Sequence, residues 1–290
     1  MTTVKSTVVY KEVPGCSIKA DVYLPEAANP PVVLYFHGGA LISGTRRYLP
    51  AYQARRLNQE GMAVVSFDYR LAPETKLEAI IGDIQDAFAW VRDEGARQFN
   101  FDTNRIAAMG GSAGGYLSLM TGTFDHKPKA IVAFYGYGDI LGEWYTTPSE
   151  HYCKNPPISK TEALSTVGGR EKTIGGNRRY TYYFYCRQKG IWPEAVSGYH
   201  PVKDREKLLR YCPINNIAPD YPPTLLLHGD QDTDVPYEQS AAMAAALEQK
   251  GIKNQLVTVK GVGHGFDGDG KNAAVKEIFE DVVHFLQAHL

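Results

Sequence analysis

A serine stands inside a glycine-rich hexapeptide near the middle of the chain. Gly110-Gly111-Ser112-Ala113-Gly114-Gly115 matches the pattern Gly-x-Ser-x-Gly, follows an apolar run and opens a helical stretch. A serine on such a strand-to-helix turn has a strained backbone and presents its hydroxyl at the edge of a sheet. Gly110 and Gly114 avoid clashes with the neighbouring strand and helix. No lysine follows the glycines, which disfavours a phosphate-cradling loop. We therefore predict that Ser112 is a nucleophile.

A serine hydroxyl needs a general base near neutral pH, because it is barely nucleophilic by itself. Among the eight histidines of the chain, His264 lies in a glycine-flanked loop after the last apolar run, where it can reach the same sheet edge as Ser112. His228 lies at the end of a predicted strand, which favours a buried structural role. His284 and His289 lie on the C-terminal helical stretch and are expected at the surface. The sequence thus predicts that His264 is the base.

The partner of that base should be a carboxylate in the loop after the penultimate apolar run. Three aspartates compete there, Asp230, Asp232 and Asp234. A buried carboxylate would hold the His264 ring in one tautomer and stabilise the imidazolium as it forms. Spacing alone does not separate the three. We expect the other two to cap the helix that begins near Tyr237 or to accept loop N–H bonds.

A second glycine pair follows the first continuous apolar run of the chain. His37-Gly38-Gly39-Ala40 comes directly after Val32–Phe36, and glycines there allow the backbone to approach a substrate carbonyl closely. The N–H groups of Gly38 and Gly39, with that of Ala113 at a helix N-terminus, are predicted to bind the oxyanion of an acyl-transfer intermediate.

The elements that carry these residues alternate between apolar runs and helical stretches. Runs buried on both faces are typical of a parallel sheet, and the alternation with helices predicts a doubly wound α/β fold. Two short β-rich segments before residue 25, with a turn at Pro14-Gly15, suggest an antiparallel pair. The apolar runs are Val32–Phe36, Ala63–Phe67, Ile106–Met109, Ala130–Tyr135, Thr224–His228 and Gln255–Val259. The main helical stretches are Leu49–Glu60, Leu77–Glu94, Gln239–Lys250 and Asn272–Leu290.

Residues 139–212 interrupt this alternation and are rich in tyrosine, tryptophan and basic side chains. We interpret them as a cap inserted into a core made of residues 1–138 and 213–290. Aromatic side chains with polar tips suit a substrate pocket, although most of those in the insertion are expected to form its own small core. The candidate substrate-binding residues are Trp144, Tyr145, Tyr183 and Trp192.

Composition excludes several classes of protein. The 290 residues are 43% hydrophobic and 22% charged, with a formal net charge of −1, which disfavours disorder and gives no electrostatic reason to expect nucleic acid or a membrane as partner. No apolar run is long enough to span a membrane and no signal peptide is seen, so we expect a cytoplasmic protein with reduced thiols. A disulfide among Cys153, Cys186 and Cys212 stays open.

Five segments, in this order, resemble the hormone-sensitive-lipase-like branch of the α/β-hydrolase superfamily, with its carboxylesterase, acetylesterase and feruloyl- or acetylxylan-esterase-like relatives. The segments are His37-Gly38-Gly39, Asp68-Tyr69-Arg70-Leu71-Ala72-Pro73-Glu74, the Ser112 hexapeptide, His228 to Val235 and Gly263-His264-Gly265-Phe266. In these families the nucleophile, acid and histidine follow in that order. The acid lies three residues after a glycine and three before a valine, so the resemblance selects Asp232. In these relatives the second segment shapes the structure near the site, and the resemblance implies no catalytic role for it.

The sequence departs from the family at two points. The family's third oxyanion-site glycine is Ala40, which keeps an N–H, and the usual Gly-Asp-Ser-Ala-Gly is Gly-Gly-Ser-Ala-Gly. The resemblance and the set Ser112, Asp232 and His264 predict a serine carboxylesterase that hydrolyses short-acyl esters through an acyl-enzyme, without metal or organic cofactor. An amidase, formamidase or peptidase on the same triad stays open. A ligand receptor or interaction protein is disfavoured because all three residues are present. Oligomeric state is left open.

Overall fold

The computed structural model describes residues 6–290, and its centre is a sheet of eight strands. The sheet order is β1-β2-β4-β3-β5-β6-β7-β8. The pairs β1–β2 and β2–β4 are antiparallel and the remaining neighbours are parallel. The strands are β1 Ser6–Val13, β2 Cys16–Tyr23, β3 Val32–Phe36, β4 Ala63–Phe67, β5 Ile106–Gly111, β6 Ala130–Phe134, β7 Thr224–Gly229 and β8 Asn254–Val259.

This sheet confirms the mostly parallel α/β core that the apolar runs predict. All residues of β3, β4, β5, β6 and β7 are buried, as strands covered on both faces must be. In β3, Leu34 lies beside Val65 on one side and Ala108 on the other. The half-exposed β1 and β2 form the antiparallel hairpin around Gly15, whose φ of 78° suits glycine.

Helices cover both faces of the sheet. Successive side chains of β3 point to opposite faces: Val33 packs with residues of α1 and α12, whereas Leu34 packs with residues of α2 and α4. The helices are α1 Ala51–Gln59, α2 Leu77–Trp90, α3 Ala96–Phe99, α4 Ala113–Thr121, α5 Glu143–Thr146, α6 Glu150–Cys153, α7 Lys160–Leu164, α8 Tyr180–Lys189, α9 Trp192–Ser197, α10 Arg205–Leu209, α11 Glu238–Gln249 and α12 Ala273–His289.

Residues 139–212 contribute the six helices α5 to α10 and no strand of the sheet. They contact the rest of the chain through polar groups as well as apolar ones. The Arg179 guanidinium lies 2.6 Å from the Glu74 carboxylate, and the indole of Trp192 donates to the Ala40 carbonyl at 3.1 Å. Glu74 ends the second family-like segment, so this segment ties the insertion to the sheet. The division into core and cap stays a prediction.

No helix within residues 6–290 is long and apolar enough to cross a membrane. All four cysteines have free thiols in the structure, and Cys186 and Cys212 are buried. Burial raises the pKa of both thiols to about 12.

Candidate active site

Ser112 occupies the turn between β5 and α4, with φ 57° and ψ −121°. This backbone conformation costs free energy for a residue with a side chain, and it persists only where the surrounding structure enforces it. A Cβ atom at Gly114 or at Gly110 would overlap the carbonyl oxygen of Phe36 at the end of β3. The glycines therefore allow the turn to approach β3, as the sequence pattern predicts.

His264 and Asp232 meet at the carboxyl ends of β7 and β8. The Nδ1 atom of His264 lies 2.7 Å from Oδ2 of Asp232. The other oxygen of Asp232 accepts the N–H groups of Asp234 and Val235 at 2.9 and 3.0 Å. Of the three aspartates that spacing left open, Asp232 is thus the one that contacts Nδ1 of His264.

The two remaining aspartates have different partners. Asp230 accepts the loop N–H of Gly261 at 2.7 Å. This is one of the two roles expected of the aspartates that do not contact His264. Among the described residues, no backbone N–H of a helix end or loop donates to the Asp234 carboxylate. It pairs instead with Arg187 of α8 at 2.9 Å, a contact that the sequence did not predict because the two residues lie in separate segments of the chain.

His228 is fully buried beneath Asp232. Its Nε2 lies 3.3 Å from Oδ2 of Asp232 and 3.0 Å from the Val235 carbonyl, while its Nδ1 contacts the Ser240 hydroxyl at 2.7 Å. Burial raises the pKa of Asp232, but the hydrogen bonds with His228 and His264 outweigh burial and hold that pKa well below its usual range. His228 therefore helps to keep the carboxylate charged.

The other side of the His264 ring faces an aromatic and acidic wall. The ring centroid of Tyr135 lies 4.6 Å from that of His264, and the Tyr135 hydroxyl donates to the buried carboxylate of Asp267. Gln53 also donates to Asp267 at 2.8 Å. Burial lowers the pKa of His264, but Asp232, Asp234 and Asp267 together raise it above its ordinary value. The sequence assigns no role in the site to Tyr135, Gln53 or Asp267.

Ser112 and His264 both line a cavity of about 340 Å³ at this edge of the sheet. No hydrogen bond joins their side chains within residues 6–290, and catalytic hydrogen bonds often tighten only when substrate binds. Within residues 6–290, no lysine or arginine lines this cavity. The cavity is lined by Tyr35, Gly38, Gly39, Ala40, Tyr48, Pro50, Gly111, Ser112, Tyr135, Tyr180, Tyr183, Asp234, His264, Gly265, Asp267 and Gly268.

The loop after β3 forms part of the cavity wall. Gly38, Gly39 and Ala40 lie on the wall, and Gly39 and Ala40 have φ values of 111° and 56°. Ala113 is buried and begins α4, next to Ser112. Within residues 6–290, the backbone N–H groups of Gly39, Ala40 and Ala113 donate to no carbonyl. Unpaired donors beside a candidate nucleophile are what an oxyanion site requires.

His37, which precedes these glycines, is buried and stacked on Tyr69 at a centroid distance of 4.2 Å. Its Nδ1 contacts the carbonyl of Gly38 at 2.7 Å. Burial lowers the pKa of His37 to about 4, so this histidine is neutral near pH 7. Its position supports the loop and does not reach the cavity wall.

Only one of the four aromatic residues predicted to bind substrate lies on the cavity wall. Tyr183 does so, whereas Trp144, Tyr145 and Trp192 do not. These three stack on one another, with ring centroids 3.5 and 4.0 Å apart, and Trp192 is fully buried. Stacked aromatic side chains bury a large apolar area, and the role of these three residues in substrate binding stays a prediction.

Several wall residues were not predicted from sequence. Tyr35 lies in β3 one residue before its end, and Tyr135 follows β6 with a φ of 37°. Tyr48 ends a short 3-10 helix and Tyr180 begins α8. Positive φ at a tyrosine is uncommon, and no sequence pattern marks it. The signal that could have found Tyr135 is its place at the end of an apolar run, at the same sheet edge as Ser112.

Two family models match this chain. The model described as BD-FAE matches residues 20–159, and that of the prolyl oligopeptidase family, peptidase S9, matches residues 180–290. The first contains the Ser112 turn, and the second contains Asp232 and His264. Among curated proteins, the non-reducing polyketide synthase adrD of Penicillium roqueforti is 27% identical over 344 residues, covering 99% of this chain but only 14% of the synthase. The chain thus spans a small part of that relative.

Solved structures share the fold along the whole chain. A Staphylococcus aureus protein of unknown function has a TM-score of 0.80 at 26% identity, with 98% of this chain and 99% of that chain covered. A thermophilic esterase of Thermogutta terrifontis with propionate bound has a TM-score of 0.67 at 24% identity, with coverages of 99% and 95%. Together with the two family models, the shared architecture shows that this chain has the fold of the α/β-hydrolase superfamily.

Proposed function

We propose that this protein is a serine carboxylesterase that hydrolyses short-acyl esters with Ser112, His264 and Asp232. One observation carries the proposal. A serine on a strained turn and a histidine hydrogen-bonded to a buried carboxylate line the same cavity. The reaction needs a nucleophile and a base that can reach one substrate atom, and a cavity shared by both groups supplies that position.

The mechanism follows from the positions of these groups. Ser112 attacks the ester carbonyl while Nε2 of His264 takes its proton, and Asp232 stabilises the imidazolium through Nδ1. The N–H groups of Gly38, Gly39 and Ala113 hold the oxyanion, with that of Ala40 as a further donor from the same loop. His264 then protonates the leaving alkoxide. A water molecule, activated by His264, attacks the acyl-enzyme and releases the acid.

The size of the cavity supports a short acyl group. Its volume of about 340 Å³ lies near the lower end of the range for small-molecule sites. The similar esterase of Thermogutta terrifontis holds propionate. Tyr180 and Tyr183, both from residues 139–212, form part of the wall, which supports the role of this insertion as a cap that shapes the substrate site.

The test is hydrolysis of p-nitrophenyl acetate, butyrate, octanoate and laurate by the wild type, Ser112→Ala and the matched control Ser165→Ala, whose serine is exposed on the insertion. We expect kcat/KM to be highest for the two short esters, unchanged in Ser165→Ala and at least about 10³-fold lower in Ser112→Ala. Activity that survives in Ser112→Ala, or the absence of activity on all four esters, would reject the proposal.

An amidase or peptidase on the same three residues is the second candidate, and the match of residues 180–290 to the prolyl oligopeptidase family favours it. Ester and amide substrates with the same acyl group separate the two. Wild-type protein is compared on p-nitrophenyl acetate and p-nitroacetanilide, and on matched dipeptide esters and anilides. Amides are intrinsically less reactive than the matched esters. A ratio of amide to ester kcat/KM that exceeds the ratio of their uncatalysed hydrolysis rates would favour the second candidate.

A further inference from the structure

The carboxylate of Asp234 is part of the cavity wall, and its two oxygens have different surroundings. Oδ1 accepts the Tyr183 hydroxyl at 2.6 Å and Nη1 of Arg187 at 2.9 Å. Oδ2 lies 3.6 Å from Nε2 of His264, which is beyond hydrogen-bond distance. A carboxylate oxygen accepts up to two hydrogen bonds, so Oδ2 keeps its accepting capacity on the cavity side.

Arg187 fixes the orientation of this carboxylate. Its side chain is 3% exposed, and its Nη1 also donates to the Asp234 carbonyl at 3.0 Å. The guanidinium lies 4.9 to 5.7 Å from the ring centroids of four aromatic side chains, an arrangement of cation–π contacts. The four are Trp144, Tyr145, Tyr152 and Tyr183. Arg187 and Tyr183 thus hold Oδ1, and Oδ2 is the oxygen that lies near Nε2 of His264.

The position of Oδ2 relative to His264 identifies the part of a substrate that it meets. In the mechanism above, Nε2 delivers a proton to the leaving-group oxygen, which must come within about 3 Å of Nε2. Oδ2 lies 3.6 Å from the same nitrogen. A substituent on the carbon next to the one that bears the leaving oxygen can therefore reach Oδ2, whereas the acyl group lies toward Ser112 and the glycine loop.

The charges around this position favour a donor and disfavour an anion. His264 faces Asp232, Asp234 and Asp267, with Tyr135 across its ring. No lysine or arginine in the described part of the chain lines the cavity. The ion pair with Arg187 balances the charge of Asp234, so a neutral hydroxyl suffices as a hydrogen-bond donor to this carboxylate. An ammonium N–H offers the same hydrogen bond with an added charge, and a carboxylate on the leaving group would be repelled.

We propose that Asp234 is a specificity residue that accepts a hydrogen bond from a hydroxyl or ammonium group adjacent to the scissile ester. The preferred substrates are then monoesters of vicinal diols or of 2-amino alcohols. This proposal rests on the esterase function above and specifies its alcohol side. It also explains why a buried arginine of the insertion contacts the loop that carries the catalytic carboxylate.

The test compares acetate esters that differ only at the adjacent position. 2-Hydroxyethyl acetate carries a donor, 2-methoxyethyl acetate carries an acceptor alone, and propyl acetate carries neither. 2-(Dimethylamino)ethyl acetate, protonated, offers an N–H, whereas acetylcholine offers only charge. Acid release is followed at pH 8. We expect kcat/KM of the wild type to be about tenfold higher for the hydroxyl or N–H ester than for its matched partner without a donor, as befits a hydrogen bond to a charged group.

Asp234→Asn reverses the hydrogen-bonding character of the subsite. Tyr183 and Arg187 both donate, so they hold the amide oxygen at the Oδ1 position and turn the NH₂ group into the cavity. We expect the preference for donor-bearing esters to fall to unity or below. Asp230→Asn, in the same loop but outside the cavity wall, should keep the wild-type preference. Thermal unfolding of both variants reports whether they are folded.

The outcomes separate the two proposals. Hydrolysis of every ester without a donor preference in the wild type overturns the assignment of Asp234 and leaves the esterase function standing. A uniform loss on all esters in Asp234→Asn, with the preference kept, also overturns it. No hydrolysis of any ester by the wild type would overturn the esterase function itself. Comparison of the hydroxyl ester pair with the ammonium ester pair identifies which donor is preferred. The wild-type series tests the proposal without depending on the folding of any variant.

Discussion

Oδ2 of Asp232 lies 2.7 Å from Nδ1 of His264, although 32 positions separate the two residues in the chain. The contact follows from the topology, because Asp232 comes after β7 and His264 after β8, and these strands are parallel neighbours. Ser112 comes after β5 in the same sheet. Carboxyl ends of parallel strands share one edge, so three distant segments supply one site there.

The first prediction concerns Asp232→Asn. The amide cannot stabilise the imidazolium and favours the wrong tautomer of His264, so kcat on p-nitrophenyl acetate should fall by about 10³- to 10⁴-fold. Asp230→Asn is the matched control, since Asp230 contacts the Gly261 N–H and not the histidine. A loss of less than tenfold in Asp232→Asn would show that this carboxylate does not support the base.

The second prediction concerns the backbone at Ser112. At φ 57° and ψ −121°, a side chain costs about 1–3 kcal/mol, and glycine adopts such a conformation freely. Ser112→Gly should therefore abolish activity and raise the free energy of unfolding by about 1 kcal/mol. Urea unfolding of wild type, Ser112→Gly and Ser112→Ala measures this. Equal stability of the alanine and glycine variants would speak against backbone strain.

Much of this site is predictable from sequence, because the residues that do chemistry lie in short patterns beside apolar runs. Ser112 and the glycines around it belong to one hexapeptide, and the runs that become β3 to β7 have the continuous apolar character of buried parallel strands. The spacing of residues did not distinguish Asp230, Asp232 and Asp234. The family resemblance selected Asp232, which the structure places at His264.

The rest depends on contacts between segments that are distant in the chain. Asp234 with Arg187, and Tyr135 with Asp267, are pairs that no local pattern links. The aromatic residues of the insertion illustrate the same difficulty. Composition does not distinguish Tyr183, which lines the cavity, from Trp192, which is buried in a stack. Only the packing of helices α5, α8 and α9 decides which rings meet solvent.

The third prediction concerns Arg187, whose buried guanidinium joins the insertion to the loop after β7. Arg187→Gln removes the cation from its aromatic surroundings and leaves Asp234 without its ion pair, so the free energy of unfolding should fall by about 3 kcal/mol. The exposed Arg178→Gln should change it by less than about 0.5 kcal/mol. Chemical denaturation of the two variants compares them, and similar small effects would contradict the role assigned to Arg187.

The fourth prediction concerns pH. In the proposed mechanism neutral His264 is the base, and its raised pKa places the acidic limb of the kcat/KM profile above the ordinary value for histidine. Asp234→Asn removes a negative charge that stabilises the imidazolium. The pKa of His264 should then fall, and the acidic limb should move to lower pH. A profile that stays in place, or moves to higher pH, would contradict this electrostatic role.

The most direct test of the central claim is the intact mass of the protein after reaction with a serine-directed organophosphate, followed by peptide mapping. If His264 and Asp232 activate Ser112, the wild type should gain one adduct, located on the peptide that contains Ser112. Ser112→Ala should gain none, and His264→Gln should react at least about 10³-fold more slowly. An unmodified wild type, or an adduct on another residue that persists in Ser112→Ala, would contradict the assignment of Ser112 as the nucleophile.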